Sequence, residues 1–172
     1  MALDLLMTVK SGDPKIEGES QHKKFEGKKA IDIRSWAYAV NQPSQMGSAG
    51  KTTGRANFSD ISITKPIDAS TPALFLACAA GSVLDEVVIH AVKTGGVGGT
   101  DIFYTITMQS VVISQVKDES VIDEEGGVVE ILESVTFNPA RVKVGYAPTH
   151  KDSGKIEAEK TAGWDIIKNV KV

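Results

Sequence analysis

The chain has 172 residues and a formal net charge of -3, from 19 basic and 22 acidic side chains mixed along its length, so it offers no electrostatic footprint for nucleic acid or anionic lipid. That length suits one domain over residues 1–172, able to bury roughly 70% of the surface its unfolded chain exposes, with no metal or disulfide needed for stability. The single Cys78 cannot form an internal disulfide, and residues 1–14 lack the positive leader, apolar run and cleavage site of a secretory signal, so folding in the cytoplasm is expected.

In chain order, alternation predicts a strand over residues 3–10, then a polar irregular piece over 11–29. The run "KKAIDIRSWAYAV" reads as one strand in which Ile31, Ile33, Ser35 and Ala37 oppose Asp32, Arg34, Trp36 and Tyr38. A second irregular piece, 42–55, separates it from a strand over 57–64. Thr71 before Pro72 then signals a helix start, because proline suits the first turn and the threonine oxygen can cap a free amide. Gly81 supplies the stop. The intervening "ALFLACAA" has almost no polar side, yet it is far short of the ~20 apolar residues a membrane span requires. A helix apolar all round needs cover on more than one side, which a second subunit can supply.

Further strands are expected over 86–93, 102–117, 128–136, 140–146 and 166–172, with an irregular piece at 148–163. The glycine cluster "KTGGVGGTD" precedes a strand rather than a helix, so it reads as a hairpin turn and not a phosphate cradle. In "DIFYTITMQSVVISQVK", Ile102, Tyr104, Ile106 and Met108 fit a packed phase and Thr105, Thr107 and Gln109 the opposite one, while "SVVIS" is apolar on both. With so few helices there are no crossovers for a parallel sheet. The fold class is therefore mainly β: an antiparallel barrel or sandwich with one short flanking α-helix.

Catalytic chemistry is hard to find in these residues. His22, His90 and His150 have no partner at metal-ligand spacing, and no serine sits in a nucleophile elbow. The acidic segment "KDESVIDEEGGVVE" lacks the ligand spacing of a calcium loop. No catalytic, cofactor or metal residue is nominated, and the expectation is a protein that is not an enzyme and needs no cofactor. Residues alone leave open a small-ligand-binding β-barrel or a secreted effector acting alone.

Taken together and in order, "IEGES" (residues 16–20), "AIDIRSWAYAV" (30–40), "DISITKPIDASTPALFLACAAG" (60–81) and "VTFNPARVKVGYAP" (135–148) closely resemble the Hcp family, the haemolysin-coregulated tail-tube proteins of the bacterial type VI secretion system. The resemblance runs from about Leu3 to "GWDIIKNV" at 163–170. It implies a barrel flanked by one helix, assembled as a homo-hexameric ring whose copies stack into a hollow tube. The implied partners are a VgrG-type spike, a contractile sheath and effector proteins held in the lumen, with neither nucleic acid nor membrane insertion. The implied route is from the cytoplasm through the secretion machine, already folded and without a signal peptide.

Site expectations follow from that ring. In the helix, Leu74, Phe75 and Cys78 are expected to face the barrel, and Leu76, Ala79 and Ala80 to approach another protein surface. Thr105, Thr107 and Gln109 become lumen or interface candidates. The 42–55 segment becomes a stacking loop, with Pro43 stiffening it, Met46 as an adaptable apolar tip, Gly47 and Gly50 letting it bend, and Lys51 and Arg55 offering charge. Asp123, Glu124 and Glu125 are the acidic residues expected to face them.

Overall fold

The computed structural model describes residues 2–47, 50–94, 100–150 and 155–172. Its elements in chain order begin with β1 (Ala2–Lys10), β2 (Ile31–Asp32), β3 (Ser35–Ala37), β4 (Val40–Asn41), β5 (Ser44–Gly47), β6 (Gly50–Thr53), β7 (Asn57–Phe58) and β8 (Ile61–Pro66). They continue with α1 (Thr71–Ala80), β9 (Val83–Thr94), β10 (Thr100–Ile122), β11 (Val128–Tyr146), β12 (Lys160–Asp165) and β13 (Val170–Lys171).

One antiparallel sheet runs β13-β12-β11-β10-β9-β1-β2, with β8 on β11 and β3 on β8. It forks at β11, whose outer edge pairs with β8 from Leu132 to Phe137 and with β12 from Arg141 to Tyr146. The fork lets one sheet wrap over itself, a barrel-like sandwich that no hydrogen-bonded pair closes among the described residues. Between its layers lie Ile61, Ile63, Ile89, Ile106, Val135 and Phe137, all buried.

Three strands change their buried phase at one level. Leu84 and Val87 are buried with Asp85 and Glu86 between them on β9; Met108 and Val111 flank Gln109 and Ser110 on β10; Pro139 and Val142 flank Ala140 and Arg141 on β11. Gln109 pairs with both Glu86 and Arg141, so the three steps lie side by side. Ser110 takes a positive φ of 51° there. Such a step lets a strand pass from one layer to the next while its apolar residues stay inside. It also resolves the two-phase run after Ser110: Val111 and Ile113 are the inward residues.

Several sequence expectations are corrected. The 30–40 run is three short strands, because its apolar residues change phase: Ile31 and Ile33 are buried, then Trp36 and Tyr38 pack on the core while Ser35 and Ala37 are exposed. β2 accordingly pairs with β1, β3 with β8 and β4 with β7. The strands expected over 128–136 and 140–146 are one continuous β11. Pro139 falls between the last β8 pair and the first β12 pair, where a ladder tolerates the loss of a donor. The 42–55 segment is not irregular, since β5 and β6 pair as a hairpin. The strand expected over 166–172 is replaced by β12, which begins at Lys160 within the piece read as loop, a turn over 166–169 and the short β13.

Residues 11–29 lie across the β1–β9 face. Phe25 is buried there with Leu6, Ala30 and Val92 in a second small core, and Ile102 packs on it. A register shift between Ile102 and Tyr104 moves Tyr104 into the main core instead. Gly18 donates its amide to the Lys29 carbonyl at 2.9 Å, so close that a side chain would run into Ala30. His90 sits against the Phe25 ring, 4.9 Å between centroids, and hydrogen-bonds Thr8 at 3.1 Å. Burial, with Lys28 nearby, pulls its pKa down to about 4.

Candidate assembly surfaces

The motif "KPIDASTP" has a physical reason. Lys65 and Glu133 are both fully buried, paired across the β8–β11 ladder with Nζ 2.8 Å from Glu133 Oε2. Lys65 Nζ also lies 2.8 Å from Asp68 Oδ1. Asp68 in turn accepts the Ser70 amide and hydroxyl at 2.9 and 2.5 Å, and the Thr71 hydroxyl donates to Glu133 at 3.2 Å. This cluster fastens the start of α1 to the sheet, with carboxylates at the positive end of the helix dipole. The N-cap is Ser70, one residue before the expected Thr71, and Gly81 closes the helix at φ 64°.

The helix then presents two faces. Leu74 and Ala77 are buried and Ala73 and Cys78 pack on the core. Phe75, expected inside, is 65% exposed beside exposed Leu76, Ala79 and Ala80. Its position one residue past Leu74 turns it about 100° around the helix, away from the sheet. Sequence could not separate these faces, since both are apolar.

A second surface is the far half of the β10–β11 hairpin, where residues 117–129 form an arm whose side chains are mostly exposed. Val121, Ile122, Val128 and Val129 lie bare on it, which strand alternation alone does not reveal because an apolar strand residue reads as core. Asp123 closes the tip: its carboxylate accepts the Glu125 and Gly127 amides at 3.0 and 2.8 Å, and Gly126 takes φ 85°. Glu124 and Glu125 are left facing solvent.

The third is the open end of the polar sheet face. Ile106 and Met108 are buried as expected, and Thr107 and Gln109 share the opposite face with Arg141, Lys143 and Thr161 around a shallow depression. Thr105 donates to Glu159 at 2.9 Å and Gln109 to Glu86 at 3.3 Å. Beside it, the β5–β6 hairpin carries Met46, Gly47, Gly50 and Lys51, with Pro43 at its root receiving the Gly54 amide at 2.9 Å. Arg55 donates to the carbonyls of Ile166 and Ile167, bracing the turn before β13. Asp165 anchors the same turn, its carboxyl held below the usual range by the Lys168 amide and then by Arg141. Among the described residues no three His, Cys, Asp or Glu side chains are grouped to hold a metal.

Residues 7–146 match the family described as "Type VI secretion system effector, Hcp". The chain belongs to the Hcp family. This Hcp chain is 34% identical over 171 residues to Protein hcp1 of Pseudomonas aeruginosa, covering 99% of both. Its fold is similar to a structure described as that of a type six secretion system protein, with a TM-score of 0.85 at 24% identity over 99% of this chain and 100% of that one. Hcp1 from Salmonella typhimurium gives a TM-score of 0.74 at 23% identity, with both chains fully covered.

Proposed function

We propose that this Hcp chain is the tail-tube subunit of a type VI secretion system. It forms a hexameric ring, the rings stack head to tail into a tube, and the lumen carries and stabilises effector proteins. One observation supports this most. The interior is filled by its own side chains, yet apolar residues stay bare on three separate elements: Phe75 and Leu76 on α1, Val121 to Val129 on the arm, and Ile167, Val170 and Val172 at the final edge. Apolar surface spread this way fits a protein that meets neighbours on several sides.

In this reading Thr105, Thr107 and Gln109 face the lumen. Pro43, Met46, Gly47, Gly50 and Lys51 meet the next ring, where Glu124 and Glu125 lie opposite, and Asp123 and Arg55 serve by holding their own turns. Leu76, Ala79 and Ala80, joined by Phe75, turn towards a ring neighbour or the contractile sheath. A VgrG-type spike caps the tube, the single domain leaves the cytoplasm folded, and its work is mechanical rather than catalytic.

Native mass measurement and electron microscopy of the purified protein at micromolar concentration test the assignment. Rings of hexamer mass that stack are expected. Replacing residues 44–53 by a brief glycine turn should keep the rings and abolish tubes and secretion. A protein that remains monomeric overturns the ring, and tubes from the shortened variant overturn the role of the hairpin.

A further inference from the structure

A groove of about 490 Å³ opens at the root of the β5–β6 hairpin, walled by Tyr38, Val40, Phe58, Val142, Val144 and Trp164. Arg55 and Asn169 complete its rim. Its lining is mostly apolar, but the Trp164 indole N–H is buried without a hydrogen-bond partner. An orphaned donor of that kind costs free energy until something accepts from it. The groove thus offers an open apolar surface beside a strained polar group.

Charge points to what completes it. β12, the turn after it and β13, which supply Trp164 and Asn169 to the groove, also carry exposed Lys160, Lys168 and Lys171, while Asp165 is paired with Arg141 and Glu159 accepts from Thr105. The arm tip has the opposite character: Ile122 faces Val128 across the ladder, both about 60% bare, and Glu124 and Glu125 project beyond them. Its turn is already closed by Asp123, so it docks as a formed wedge with little ordering cost. Arm and groove lie towards opposite ends of β11, a strand of 19 residues that spans up to roughly 60 Å. An arm cannot fold back into its own groove.

We propose that the groove beside Trp164 seats the β10–β11 arm tip of a second copy in the facing ring, with Ile122 and Val128 against its apolar walls. The Trp164 ring forms one wall of the seat, and the lysines meet Glu124 and Glu125. Two different surfaces are joined, so the contact repeats without closing on itself and propagates along an axis. The assignment rests on the tail-tube reading and says which parts of one ring grip the next.

Crosslinking separates the two ideas. In a Cys78→Ser background, chains bearing Ile122→Cys or Ala162→Cys are expressed singly and together, concentrated, and treated with a short bis-maleimide. A linked dimer is expected only from the co-expressed pair. Tubes seen by microscopy without that link, or a link formed within one singly substituted population, overturn the groove assignment and leave the tube reading standing. Absence of both tubes and link overturns both. As a second measure, Ile122→Asp with Val128→Asp should leave monomer melting and ring mass unchanged while raising the concentration for tube formation at least tenfold. Loss of the rings, or unaltered tubes, would place the arm elsewhere.

Discussion

Lys65 is a charged residue with no solvent exposure, and its neighbours explain why it survives there. Glu133, Asp68 and Thr71 all lie within 3.3 Å of its ammonium group or of each other's oxygens. Lys65→Met strands two carboxylates under the helix start, and a loss of about 3–5 kcal/mol is expected in urea unfolding. The double variant Lys65→Met with Glu133→Leu should recover part of it, because the fully buried Glu133 charge leaves with its partner while Asp68 keeps the Ser70 amide and hydroxyl. A second residue-scale consequence concerns His90, whose folded pKa of about 4 lies below the ordinary histidine value of 6.5. Between those values the unfolded chain binds the proton first, so stability is complete above pH 6.5 and falls as the pH drops towards 4. Melting temperatures across that window should show the decline, and His90→Phe should flatten it. The sequence named Lys65 and Asp68 as parts of a motif but was silent on Glu133, which is distant in the chain and meets them only through strand pairing.

Among the elements, the position of a strand was easier to read than its buried phase. β1, β9 and the first half of β10 stand close to where alternation puts them, although β1 buries the adjacent Leu6 and Met7 on opposite faces and β9 steps phase between Leu84 and Val87, while the strand expected over 57–64 divides into β7 and β8. The 30–40 run and α1 carry apolar residues on both phases, so the sequence could place them in the fold but not orient them. Phe75 is the clearest case: nothing in "ALFLACAA" says that Leu74 goes in and Phe75 stays out. That exposed face still gives a sharp expectation. Ala79→Glu adds a charge where the chain itself leaves open space, so thermal melting of the fold should shift little, while ring or sheath assembly and secretion should fall severalfold. An active system with intact Ala79→Glu rings would show that this face of α1 has no partner.

At the scale of the whole molecule, the resemblance supplied the architecture and the pairing supplied its geometry. An antiparallel, mainly β chain with one helix followed from alternation and from the lack of crossovers. The fork at β11 did not, because it depends on Phe137 and Arg141 choosing different partners on one edge. The surfaces that stay bare were the least legible feature, since an apolar strand residue looks the same in sequence whether its cover is its own core or another copy. The arm makes the point, with Val128 63% exposed in a segment that reads as ordinary strand.

The shared phase step across β9, β10 and β11 has an evolutionary side. Losing or gaining one residue on either side of Gln109, Glu86 or Arg141 would send every later side chain of that strand to the wrong layer, while its two neighbours kept theirs. Such a change can be absorbed only if all three strands acquire it at once, an event that single insertions do not supply. Relatives should therefore hold the spacing between these three positions and the nearest buried residues constant, even where identities have drifted. Length variation is left to the turns, which is where one relative can diverge from another without its layered sheet coming apart.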